Sequence, residues 1–174
     1  MPHLIEPAAS GRSKCRGCGL AIRQGELRFG ESLPNPYADG DTMLWFHPAC
    51  AAYKRAEPFL EALGTTSAEV SDRAELESVA RGSVAYQRLA RIDGAERARS
   101  GQAMCRSCRR PIARDTWRVR LVFYQEGRFA PGGYVHLDCR KDYFETEDII
   151  NALLHFSHSL NEEERKLLRS EFRT

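Results

Sequence analysis

The sequence predicts an α+β fold made of two small fingers, each a short antiparallel sheet with a helix, joined by a helical segment. Three observations support this prediction: six cysteines in two groups of the same spacing, an internal repeat at a constant offset, and strand-like runs that give way to helical patterns. Alternating apolar and polar residues indicate half-buried strands, whereas apolar residues three or four positions apart indicate helices.

Each cysteine group reads C-x2-C and, after a long spacer of nearly equal length in the two halves, H-x2-C. Three thiols and one imidazole form the ligand set of a closed tetrahedral zinc site. We therefore expect two structural zinc ions per chain. Their predicted ligands are Cys15, Cys18, His47 and Cys50 in the first half, and Cys105, Cys108, His136 and Cys139 in the second.

Three other uses of these cysteines fit the pattern less well. Disulfides need an oxidising compartment, and each half has an odd number of cysteines. A thioredoxin-type C-x-x-C pair lies beside a βαβ unit and leaves the repeated H-x2-C without a role. A catalytic zinc keeps one position open for water, which four protein ligands would fill.

Aligning the two halves on their cysteines exposes the repeat, at an offset of 90 positions. The stretch "ASGRSKCRGCGLAIRQGELR" matches "RSGQAMCRSCRRPIARDTWR", with Ile22 against Ile112 and Leu27 against Trp117. Strand-like runs follow each C-x2-C: "ELRFGESL" and "MLWF" in the first half, "TWRVRLVFY" and "GYVH" in the second. One supersecondary unit, used twice, accounts for both halves.

Helical patterns follow each H-x2-C. The run "CAAYKRAEPFLEALG" predicts a helix that ends at Gly64, and "DCRKDYFETEDIINALLHF" predicts its counterpart. Apolar residues at helical intervals over 65–91 predict one or two helices, interrupted near Gly82. Asn161, with Glu164 three positions later, predicts the capping box of a terminal helix.

These patterns divide the chain of 174 residues into four segments. Residues 1–64 are the first finger, 65–95 a helical connector, 96–145 the second finger and 146–174 a C-terminal helical segment. The length fits one domain or two small ones.

Composition predicts a folded, intracellular protein. Hydrophobic residues make up 42% and charged residues 29% of the chain, as in ordinary globular proteins. No apolar run is long enough to span a bilayer, and the first ten residues lack the basic and apolar regions of a secretory leader. We expect no membrane association, and a location in the cytoplasm or nucleoid of a bacterium or the nucleus of a eukaryote.

The charge is distributed unevenly. The formal net charge is +2, and two zinc ions, each held by three thiolates, would bring it to about zero. Eight arginines nevertheless lie between residues 97 and 120, against a single acid. Any polyanion would therefore bind to a local basic face, with a steep dependence on salt.

The stretch "SGRSKCRGC...LRFGESLPNPYADGDTMLWFHPAC" resembles the zinc fingers of the poly(ADP-ribose) polymerase type, also found on one eukaryotic DNA ligase. The shared features are S-G-R before the first ligand pair, L-R after it, a Pro and Asp-Gly loop, and an aromatic pair before H-P-x-C. The resemblance covers about residues 8–63 closely and 96–145 more loosely. In that family the fingers recognise DNA strand breaks: arginines hold phosphates beside the break, and apolar loop residues stack on exposed base pairs.

The resemblance implies which arginines bind phosphate, for which their planar, permanently charged fork is well suited. In the second finger Gln102 stands where the equivalent of Arg12 belongs, so we expect that finger to bind phosphate more weakly or differently. The candidates are the arginines at the family's positions and two neighbours: Arg12, Arg28, Arg118, Arg16 and Arg120.

The resemblance also implies a stacking residue in each finger. In the first finger the aromatic residue found before Asp-Gly is replaced by Ala38, and Tyr37 is the candidate to take over its role. The loop of the second finger has lost Asp-Gly, which leaves Phe129 as its candidate. Trp45 and Phe46, beside a ligand, are expected in the core.

The predicted function is sequence-independent binding of nicked or broken double-stranded DNA, without catalysis. The sequence has no glycine-rich phosphate loop or nucleophile elbow, and the family's ADP-ribosylating domain is far larger than the residues left here. We therefore expect no small-molecule substrate, and any reaction triggered by a break would need a repair enzyme as partner. The alternatives are a zinc-scaffolded protein-interaction adaptor, or mixed use with the first finger on DNA and the second on a protein. An enzyme that uses one zinc ion is the least favoured possibility.

Overall fold

The computed structural model, which describes residues 1–173, contains two three-stranded antiparallel sheets. The first sheet has the order β1-β2-β3 and consists of β1 (Leu4–Pro7), β2 (Leu27–Pro34) and β3 (Asp41–Phe46). The second has the order β4-β5-β6 and consists of β4 (Ile92–Arg97), β5 (Trp117–Gln125) and β6 (Arg128–His136). The repeated strand order confirms the predicted α+β fold of two fingers.

The two strands that lead each repeat, β1 and β4, were not predicted. Each pairs with the following strand so that an acid lies opposite an arginine: Glu6 opposite Arg28 and Glu96 opposite Arg118. The register of β4 shifts between Ile92 and Ala95, around a glycine with a positive φ. β4 begins inside the segment 65–95, which was predicted to be helical.

Three helices complete the first unit: α1 (Pro48–Lys54), α2 (Ala56–Thr65) and α3 (Arg73–Ala85). Proline at the first position of α1 suits a helix start, because its missing N–H would have no intrahelical partner there. α2 ends at Thr65, next to the predicted Gly64. α3 continues through Gly82 and ends at Ala85, so the interruption predicted near Gly82 lies later in the chain. Packing of α3 on α1 and α2 offsets the cost of glycine in a helix, about 1 kcal/mol.

Aromatic rings form the core of the first unit. Phe29 of β2 is fully buried and packs edge-on against Phe59 of α2, with 5.6 Å between ring centroids. Phe46 of β3, also fully buried as predicted, lies 6.0 Å from Phe29. Full burial of one such side chain contributes about 1.5–3 kcal/mol.

The second unit ends in α4 (Arg140–Phe144), α5 (Ile150–His155) and α6 (Glu162–Ser170). The helix predicted after the second H-x2-C is therefore divided into two. The Ala95 N–H of β4 donates to the hydroxyl of Ser157, 2.8 Å away and just beyond α5. The capping box predicted at Asn161 is confirmed. The buried side chains of this unit include Ile92, Val119, Leu121, Phe144, Leu153 and Phe156.

By internal contacts, the described chain divides into two units. The first is Met1–Ala90 with Glu126–Phe129, and the second is Arg91–Gln125 with the chain from Ala130 onward. The four predicted segment boundaries stay a prediction. Among residues 1–173, no helix combines the length and the apolar character needed to cross a membrane.

Candidate metal centres and nucleic-acid interface

The first cluster joins the turn before β2 to the junction of β3 and α1. Cys15 and Cys18 come from the turn, and His47 and Cys50 from the junction. Their four ligand atoms all lie within 4.8 Å of one another, and Cys18 Sγ is 3.4 Å from His47 Nδ1. This arrangement brings three thiols and one imidazole around a single point, as a tetrahedral zinc ion requires.

Backbone groups support the Cys15 sulfur. The N–H groups of Gly17 and His47 both donate to Cys15 Sγ, each over 3.3 Å. Such donors stabilise the thiolate, which is the form that binds metal. A Cβ at Gly17 would lie 2.9 Å from Cys50 Cβ, so glycine is needed for this close approach.

The pKa values of the groups in this cluster depend strongly on one another. Hydrogen bonds with Cys18 and Cys50 lower the pKa of Cys15, whereas hydrogen bonds with Cys15 and Cys18 raise the pKa of Cys50. Hydrogen bonds with Cys15 and Cys18 also raise the pKa of His47 to about 10, against the effect of burial. Thiolates this close repel one another, and a divalent cation between them would favour ionisation of all three.

The second cluster repeats this arrangement with Cys105, Cys108, His136 and Cys139, whose ligand atoms also lie within 4.8 Å of one another. Cys108 Sγ lies 3.3 Å from His136 Nδ1. The other ring nitrogen, Nε2, is 3.1 Å from the carbonyl oxygen of Pro111. A carbonyl only accepts, so Nε2 carries the proton and Nδ1 faces the cluster as a metal-binding nitrogen.

Backbone donors also act on the second cluster. Burial raises the pKa of Cys105, but N–H groups of His136, Cys108 and Ser107 outweigh burial and bring the pKa to about 7. Burial, followed by the negative charge on Cys105, raises the pKa of Cys139 to about 12. Both clusters therefore have the donor set, the spacing and the supporting hydrogen bonds of a structural zinc centre, and the predicted cofactor is confirmed.

Arg28, a predicted phosphate ligand, is buried and held by three groups. It is 9% exposed, and its guanidinium donates to Glu6 over 2.8 Å and to the hydroxyl of Ser13 over 3.1 Å. The guanidinium carbon lies 3.5 Å from the centroid of the Trp45 ring. We call this arrangement of an arginine between a carboxylate and an aromatic ring the arginine clamp.

The second finger contains the same clamp around Arg118. This side chain is 5% exposed, donates to Glu96 over 2.7 Å and lies 3.5 Å from the ring centroid of Tyr134. The neighbouring Arg120 is more exposed and also engaged, because it donates to the carbonyl of Asp93 over 2.7 Å and pairs with Glu96 at 3.4 Å.

Two of the predicted phosphate ligands are exposed. The guanidinium groups of Arg12 and Arg16 make no hydrogen bond or ion pair with any part of residues 1–173. Lys14 and Arg23, which were not named as candidates, are exposed in the same way. The basic run in the sequence could have identified all four.

The two predicted stacking residues differ in exposure. Tyr37, in the loop between β2 and β3, is 86% exposed, and its N–H donates to Asn35 Oδ1 over 2.9 Å. Phe129 is half-buried and packs edge-on against Phe46, 6.3 Å between centroids, within the first unit to which residues 126–129 belong. Trp45, expected in the core, is half-buried over Arg28.

Further exposed arginines lie close in sequence to Cys105 and Cys108 and were not named as candidates. Their presence could be counted from the sequence, but which arginines are paired depends on the fold. Those without an ion pair among the described residues include Arg99, Arg106, Arg109 and Arg110.

Comparisons with known proteins agree with this geometry. Residues 6–85 match the family described as the poly(ADP-ribose) polymerase and DNA-ligase Zn-finger region. The poly(ADP-ribose) polymerase of Drosophila melanogaster is 29% identical over 158 residues, which cover 80% of this chain and 16% of that protein. Poly(ADP-ribose) polymerase 1 of Gallus gallus is 39% identical over 64 residues, 35% of this chain and 6% of that protein.

The extent of these matches differs. The Drosophila match covers more of the chain than residues 6–85 contain, so it reaches into the second finger. The chain spans about a sixth or less of the length of these relatives. Residues 6–85, with their Cys3His cluster and three-stranded sheet, are thus similar to the zinc fingers of poly(ADP-ribose) polymerases and DNA ligases.

Proposed function

We propose that the chain binds interrupted double-stranded DNA through its first finger, independently of sequence and without catalysing a reaction. The observation that carries this proposal is the presence, in one finger, of exposed guanidinium groups without partners among residues 1–173, together with an aromatic ring that is 86% exposed on a loop. The match of residues 6–85 to the poly(ADP-ribose) polymerase and DNA-ligase Zn-finger family supports the same partner.

The chemistry of a break calls for both residue types. Phosphate contacts position a protein on DNA without reading its sequence, and Arg12 and Arg16 have their guanidinium groups available for such contacts. A nick or an end uncovers the face of a base pair that intact duplex hides. An aromatic ring such as Tyr37 can stack on that face, for about 1–3 kcal/mol per base.

The role of Arg28 in this proposal is less direct. Its guanidinium already donates hydrogen bonds to Glu6 and Ser13 and packs on the ring of Trp45. A phosphate would therefore have to bind it alongside these groups. Phosphate binding by Arg28 and Arg118 therefore stays a prediction, and neither residue is the best choice for the first test.

The experiment compares the affinity of the zinc-loaded chain for a nicked duplex and for the same duplex sealed, by fluorescence anisotropy. We expect tighter binding to the nicked duplex, and a Tyr37→Ala variant should lose most of the difference, about 5- to 100-fold. Arg16→Ala should weaken binding to both duplexes and reduce the salt dependence by about one unit of slope. Arg81→Ala, which removes an exposed arginine of α3, is the matched control and should bind as the wild type does.

Two results would contradict the proposal. Equal affinity for nicked and sealed duplex would reject break recognition. No binding to either duplex would reject DNA as the partner and favour the adaptor.

One observation distinguishes the two fingers. Within the described part of the second unit no aromatic side chain is largely exposed, whereas the first has Tyr37. The second unit thus has no ring as exposed as Tyr37 among its described residues. If it nevertheless binds DNA, it must do so through charge.

A further inference from the structure

The turn that carries Cys105 and Cys108, which we call the second knuckle (residues 105–110), has a fixed backbone. The N–H of Arg109 donates to the carbonyl of Cys105 over 3.0 Å, and the N–H of Cys105 donates to the carbonyl of Arg110 over 2.9 Å. The first knuckle (residues 15–20) is closed by the two equivalent hydrogen bonds, both 2.8 Å long. The two knuckles are therefore the same structure with different side chains.

They differ at three positions: Gly17 is replaced by Ser107, and the difference in charge lies at the last two positions. The first knuckle has Gly19 and Leu20, and the second has Arg109 and Arg110. Gly19 adopts a φ of +79° and Arg109 a φ of +64°. This left-handed region suits glycine and is unfavourable for a residue with a Cβ. A residue held there against its preference points to a function for its side chain.

The side chains of the second knuckle are available to a ligand. Arg109 and Arg110 are exposed and make no ion pair among the described residues. Arg106, on the same turn, is exposed and lies across the backbone of Gly133, with its guanidinium 5.7 Å from the Phe123 ring centroid. By contrast, Arg118, which the family resemblance nominates in this finger, and its neighbour Arg120 are already engaged, because both pair with Glu96.

We propose that the second knuckle is a binding surface for the phosphate backbone of nucleic acid, formed by Arg106, Arg109 and Arg110. Three permanently charged forks on one rigid turn suit neighbouring phosphates, and binding through phosphates alone needs no stacking residue. The inference rests on the proposed function only in taking DNA as the partner; it does not require a preference for breaks.

The double variant Arg109→Gly/Arg110→Leu tests this directly, because it gives the last two positions of the second knuckle the residues of the first. We expect its affinity for nicked and sealed duplex to fall by the same factor, about tenfold or more, while the slope of log affinity against log salt shrinks by about two. The preference for a nick should not change. Because glycine relieves the strained φ, the Arg109→Gly single variant should unfold at the same temperature as the wild type or higher.

Arg169→Ala is the charge control, since it removes an exposed arginine of α6 in the same unit. The inference is overturned if the double variant binds no more weakly than this control, or if it contains less zinc than the wild type. Polyglutamate that displaces the duplex as effectively as an oligonucleotide of equal charge would assign the surface to an acidic protein and also overturn it.

The test separates this inference from the proposed function. A wild type with equal affinity for nicked and sealed duplex, both weakened in the double variant, would sustain the knuckle surface and reject break recognition. If the wild type prefers the nicked duplex and the double variant keeps the same salt slope, break recognition is sustained and the knuckle surface is rejected. No duplex binding by the wild type would overturn both.

Discussion

The guanidinium of Arg28 lies over the indole of Trp45, with 3.5 Å between its central carbon and the ring centroid. The ring in turn covers Gly30, where a Cβ would lie 2.8 Å from the indole. Arg118 and Tyr134 repeat the contact at the same distance in the second finger. A position that the family resemblance assigns to phosphate binding is thus part of the sheet's own packing.

Because Arg28 is part of the clamp, we expect Arg28→Ala to destabilise the fold, whatever its effect on DNA binding. Loss of the stacked cation and of the hydrogen bonds to Ser13 and Glu6 should lower the free energy of unfolding by about 2–3 kcal/mol. Arg12→Ala, at an exposed site, should change it by about 0.5 kcal/mol or less. Urea denaturation of both variants measures the difference, and equal stability would show that the clamp contributes nothing.

A buried ion pair in the first finger predicts a strong effect of removing one partner. The Glu31 side chain is 2% exposed and accepts from Arg55 Nη2 at 2.5 Å and Nε at 2.8 Å. Arg55→Ala leaves a buried charge without its cation and should lower the free energy of unfolding by about 3–5 kcal/mol. The second finger has Leu121 at the position matching Glu31.

The matching leucine supplies the control for this pair. A Glu31→Leu/Arg55→Met double variant should lie within about 1 kcal/mol of the wild type or exceed it, because apolar replacements of a buried pair are often neutral or stabilising. Urea denaturation again provides the measurement. A double variant as unstable as Arg55→Ala would show that the ion pair itself is required.

The metal centres predict two equivalents of zinc per chain, released in two steps. Cys15 and Cys50 of the first cluster are both buried, whereas only Cys105 is buried in the second, so the second ion should leave first on chelation. An indicator dye follows the release, and circular dichroism should show loss of structure with it. One equivalent or none, or a chain that stays folded after complete chelation, would contradict the prediction.

The metal ligands could be predicted because their information is local. A two-residue spacer within each ligand pair is visible in any sequence, and the repeat relates Cys15 to Cys105 without knowledge of the fold. The same holds for β2 and β5, whose alternating pattern is long enough to recognise. The capping box at Asn161 is a third local pattern.

The clamps could not be predicted, because their acids lie on the strands that were missed. β1 has four residues and ends in Pro7, and β4 contains Gly94 at a φ of +106°. Neither has the regular alternation of a strand. Without these strands the register that sets Glu6 opposite Arg28 cannot be deduced, and the sequence alone predicts an arginine that is available to a ligand.

Each Cys3His cluster takes all four of its residues from one finger, and the two clusters share no thiol. A single serine substitution, at Cys15 or at Cys105, can therefore disable one finger while the other keeps its metal. The contribution of each finger can therefore be measured with point substitutions in the full-length chain, without truncating it.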